Sequence, residues 1–67
     1  MISYKFTVRM SKEGLGKLFE IANVDARKVE IVNEAEGVWS FALQGRDADN
    51  FERCIRNTDV SYISDKY

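Results

Sequence analysis

A chain of 67 residues that is 45% hydrophobic and 31% charged, with a net charge of −1, has the make-up of one soluble globular domain and not of a disordered segment. With no histidine and a single cysteine it cannot hold an internal disulfide, the usual Cys/His zinc site, or a Ser-His-Asp or Cys-His catalytic pair. The near-neutral charge fits neither the basic footprint of a nucleic-acid binder nor a strongly acidic nucleic-acid mimic.

At the N-terminus Ile2, Tyr4, Phe6, Val8 and Met10 alternate with Ser3, Lys5, Thr7 and Arg9, and this period of two predicts a first strand with one face in the core. Ser11 is placed to cap a helix. Within it, Leu15, Leu18, Phe19 and Ala22 recur at the i, i+3, i+4, i+7 spacing of a buried stripe. Gly14 and Gly16 weaken its start, each by up to about 1 kcal/mol relative to alanine. Asn23 is the candidate C-terminal residue, with Val24 packed under the connection that follows.

Lys28 to Asn33 predicts a second strand, with Val29 and Ile31 on one face and Lys28, Glu30 and Val32 on the other. The stretch NEAEG then predicts a hairpin loop in which Gly37 takes a positive φ. Val38 to Gln44 is the third strand, ended by Gly45, and Asp47 is the expected N-cap of a second helix. Its apolar stripe is Phe51, Cys54 and Ile55, and it ends at about Asn57. Val60 to Ser64 is the last strand, and Asp65, Lys66 and Tyr67 form a polar tail with Tyr67 exposed.

The order β-α-β-β-α-β resembles the ferredoxin-like arrangement. That implies an α+β fold with a four-stranded antiparallel sheet in the order 4-1-3-2 and two helices on one face, in a single domain over residues 1–67. Many unrelated functions share this architecture, so it does not assign an activity. In each strand the more apolar face should meet the helices. Trp39, in register with Phe41 and Leu43, is therefore expected to be a core plug, its N–H bonded near the loop. Tyr4 and Tyr62 are likewise assigned to the core. The other face is left uncovered, and it carries Lys5, Thr7, Arg9, Val38, Ser40, Ala42, Gln44 and Ile63, with Val32 at its margin.

RNA-recognition domains display aromatic rings on this open face, where bases stack; here it holds cations and small side chains instead. The stretch EGLGKLF lacks the GxxxxGK[ST] spacing of a phosphate loop, and DADNFE lacks the ligand spacing of a calcium loop. Acidic residues there are what a first helical turn attracts. Cys54, in an apolar stripe, reads as a small hydrophobe and not as a nucleophile.

No constellation supports catalysis, a bound metal or a cofactor. The expectation is a non-enzymatic protein-binding module, an accessory modulator or inhibitor of the kind found in microbes and their viruses. It would act through the open sheet face or an edge strand on a larger protein or on a second copy. The alternatives are single-stranded nucleic-acid binding through Lys5, Arg9, Lys28 and the helix cations, against which the charge argues, and a small-molecule-sensing dimer. No apolar run reaches the length of a membrane span. The N-terminal residues lack the apolar core of a secretory signal, and with one cysteine this gives a cytoplasmic expectation.

Overall fold

The two cleanest alternations in the sequence become the two central strands. In the computed structural model, which describes residues 3–66, β1 (Ser3–Arg9) and β3 (Val38–Gln44) pair antiparallel from Ser3 opposite Gln44 to Arg9 opposite Val38. β2 (Val32–Ala35) flanks β3, and β4 (Ser61–Lys66) flanks β1, giving the order β2-β3-β1-β4. Helices α1 (Lys12–Ile21) and α2 (Gly45–Arg56) cover one face. This is the ferredoxin-like α+β arrangement with the expected strand order. Ile2 and Tyr67 lie outside the described residues.

The covered face is closed by phenylalanine. Phe6 from β1, Phe19 from α1, Phe41 from β3 and Phe51 from α2 meet with ring centroids 4.9–5.9 Å apart in five pairwise contacts, mostly edge-on or tilted. Val8, Leu15, Leu18, Ala22, Val24, Leu43, Ala48 and Ile55 complete the buried cluster. Trp39 is on the helix side, as its register with Phe41 and Leu43 predicts, but it is not the core plug expected there. It sits half-buried at the rim, because four phenylalanines fill the centre and β3 brings residue 39 to the hairpin end of the sheet. Its Nε1–H donates to the Met10 carbonyl at 3.1 Å, the partner near the loop that a buried indole needs. Tyr4, Tyr62 and Cys54 also pack half-buried against the cluster.

Ser11 caps α1, its hydroxyl accepting from the Gly14 N–H at 3.1 Å. At the other end Asn23 adopts φ +60. Its N–H donates to the Glu20 carbonyl, and that of Val24 donates to the Phe19 carbonyl. These are the two bonds of a Schellman motif, with Val24 buried against the last turn.

Four boundaries differ from the expectation. The second strand starts at Val32 instead of Lys28, because Asp25 caps a 3₁₀ turn over Ala26–Lys28 that consumes the residues before it. Val29 and Ile31 still turn toward the core, but without joining the ladder. The hairpin loop is tighter than NEAEG, since Asn33 to Ala35 belong to β2 and only Glu36 and Gly37 turn, the latter at φ +76. Asp47 does not cap α2. Gly45 takes φ +55, a conformation that suits glycine, and bends the chain from β3 directly into the helix. Gln44 is therefore the cap residue, and Asp47 falls in the first turn, where its charge meets the positive helix end. Finally, Asp65 and Lys66 are strand residues opposite Lys5 and Tyr4, not a tail, since β1 offers them ladder partners.

Candidate functional site: the uncovered sheet face

Alternation sends every second side chain of the sheet away from the helices, and the register aligns these side chains in rows. Val32, Ser40, Thr7 and Ile63 form the central row. Val38, Arg9 and Ser61 lie on one side of it, and Ala42, Lys5 and Asp65 on the other. All eight residues singled out in the sequence share this face, with Gln44 opposite Ser3 at its end. Among the described residues no aromatic ring points from it, so it offers no platform for base stacking.

The eight are not equally available. Ile63 is 64% exposed, and Lys5, Arg9, Ala42 and Gln44 are exposed beside it. Thr7 and Val38 are half-buried. Ser40 lies on the face but is only 3% exposed, and its hydroxyl donates to the Glu34 Oε1 at 2.7 Å. A bulge between Asn33 and Ala35 leaves Glu34 outside the ladder and lets its carboxylate fold over Ser40. Tyr62 and Ile63 separate as expected, Tyr62 against the helices and Ile63 on the open side.

The charges are ordered by strand. Lys5 and Arg9 stand on central β1; Glu34 and Asp65 stand on the outer strands β2 and β4. Between the charges, Val38, Thr7 and Ile63 border a shallow depression of about 290 Å³ that is also lined by Arg9 and Ser61. A second depression of about 380 Å³ lies beside it, bordered by Lys5, Lys28, Glu30, Val32, Glu34 and Ala42. Both are open hollows suited to side chains of a facing surface, not enclosed cavities. Glu34 and Asp65 were missed in the sequence because one sat in an assumed loop and the other in an assumed tail. The signal for Asp65 was its period-two spacing from Ser61 and Ile63.

Elsewhere, polar groups serve the fold. The Asp25 carboxylate accepts from the Arg27 backbone N–H at 3.1 Å and from its Nε at 3.2 Å. The Arg27 side-chain bond, with help from the backbone bond, holds the Asp25 carboxyl below its ordinary range. Arg56 reaches from α2 to the Tyr62 hydroxyl and to Glu52, and Ser64 donates to Glu52, which ties α2 to β4. The Tyr62 bond, then the Glu52 charge, raises the Arg56 pKa. Among the described residues no three histidine, cysteine, aspartate or glutamate side chains gather to hold a metal ion, and no helix is long and apolar enough to cross a membrane. Neither a protein-family model nor a curated protein matches the chain.

Proposed function

We propose that this protein is a non-enzymatic binding module that docks its uncovered sheet face on a larger protein and acts there as an accessory modulator. The observation that carries the reading is the face itself: exposed Ile63 and Ala42 with half-buried Val38 and Thr7, bracketed by two cations and two carboxylates. Exposed apolar side chains interleaved with charges of both signs suit a protein interface, in which apolar contact supplies desolvation and the charges supply orientation. The absence of stacking rings and the net charge of −1 favour a protein partner over a nucleic acid.

The test is affinity capture from the native host with the wild-type chain and with Lys5→Ala, Arg9→Ala and Ile63→Ala. These side chains are exposed, so each variant should melt within a few degrees of wild type. A specific partner captured by the wild type should be lost or strongly reduced with Ile63→Ala and weakened with the two cation variants. Undiminished capture by all three would overturn the assignment of this face.

A further inference from the structure

The two edges of the sheet are built differently. β2 has four residues, carries a bulge, and is preceded by residues 29–31, which never enter the ladder. Short, bulged and charged edges resist the addition of another strand. β4 has six residues and runs opposite β1 in unbroken register from Ser61 at Arg9 to Lys66 at Tyr4. It contains no proline, and among the described residues no strand lies along its outer side. Its outward N–H and C=O groups are a regular template for strand addition.

The side chains of β4 select its occupant. A second copy can add antiparallel about a two-fold axis. Residues facing each other across a ladder share a face of the sheet, so the axis must pass midway between one residue and its own copy. Centring on Tyr62 pairs only Ser61 to Ile63 and leaves Asp65 beyond the first residue of the copy's β4; centring on Ser64 sets Ile63 against Asp65. Centring on Ile63 sets Ile63 against itself, Ser61 against Asp65 and Tyr62 against Ser64. Arg9 lies beside Ser61 in the same row, and Lys5 beside Asp65. Each Asp65 would then sit between Lys5 of its own chain and Arg9 of the second copy, across the small Ser61, and this would occur twice.

From this complementarity we infer that the chain dimerises by antiparallel pairing of β4 with β4 of a second copy, centred on Ile63, to form one eight-stranded sheet. The pairing sets the two Ile63 side chains against each other on the open face and joins them to Val38, Ala42 and Gln44 in one continuous two-fold surface. It goes beyond the docking reading, because its backbone bonds run along the β4 edge and leave the β3 part of the face free.

Sedimentation velocity from micromolar to near-millimolar concentration tests it, with circular dichroism confirming the fold of each variant. The wild type should form a dimer. Ile63→Lys places like charges across the axis and Arg9→Glu opposes Asp65, and each should weaken the dimer at least about tenfold. Ala42→Arg, two strands from the edge on the same face, should leave the dimer intact while abolishing partner capture, which separates this inference from the docking reading. A strictly monomeric wild type would overturn the inference. So would a dimer that survives Ile63→Lys, or one lost with Ala42→Arg, the mark of face-to-face stacking.

Discussion

Asp25 does the work of a local switch in chain direction. Its carboxylate accepts from the Arg27 backbone and side chain, which starts the 3₁₀ turn between α1 and β2. Because these bonds favour the ionised form, the folded pKa lies below the ordinary 3.8. The sign of the linkage follows: the stabilisation is complete above the unfolded-state value and is lost as pH falls through the lower folded value. Thermal melts of wild type and Asp25→Asn should therefore differ at neutral pH and converge as the pH drops below the ordinary carboxylate range. A constant gap across that range would show that the carboxylate charge has no part in it.

At the scale of elements, the glycines of this chain behave oppositely according to backbone conformation. Gly16 lies inside α1, and a methyl group added there meets nothing within 4 Å. Gly16→Ala should therefore stabilise the protein by about 0.5–1 kcal/mol, through lower chain entropy in the unfolded state and better helix propensity. A methyl group at Gly45 also enters open space, but the backbone there is at φ +55. Gly45→Ala should cost about 1–2 kcal/mol from backbone strain alone. Urea denaturation of the two variants checks both signs, and equal effects would mean that the strand-to-helix bend does not depend on the left-handed residue.

For the whole molecule, position relative to the phenylalanine cluster outranks side-chain size. A domain of this length has roughly 3–10 kcal/mol of total stability by the usual per-residue scale. Phe51 is fully buried and touches the rings of the other three phenylalanines. Phe51→Ala should cost about 3–5 kcal/mol and leave much of the population unfolded. Trp39→Ala, at the half-buried rim, should cost about 2–3 kcal/mol, part of it from the unpaired Met10 carbonyl. Chemical denaturation should rank the two in that order; the reverse ranking would return Trp39 to the centre of the core.

Much of this was written in the chain itself. Alternation in residues 3–9 and 38–44 and the stripes of the two helices determined the element order and the identity of the open face, while the strand order followed from the resemblance of that element order to the ferredoxin-like arrangement. A period-two strand has only two ways to orient, and the more apolar one must be buried. What the sequence could not determine was anything that depends on a partner residue far away in the chain. Residues 28–31 alternate like a strand but find no ladder, because the turn capped by Asp25 absorbs their approach. Asp65 and Lys66 look like a tail but find one, because β1 extends alongside them. Trp39 is the largest side chain in the chain, yet the topology brings one phenylalanine from each of four elements to the centre and leaves the indole at the rim. Local pattern selects the face of a strand; which strand pairs with it, and what lies over it, is decided by contacts that exist only once the chain has folded.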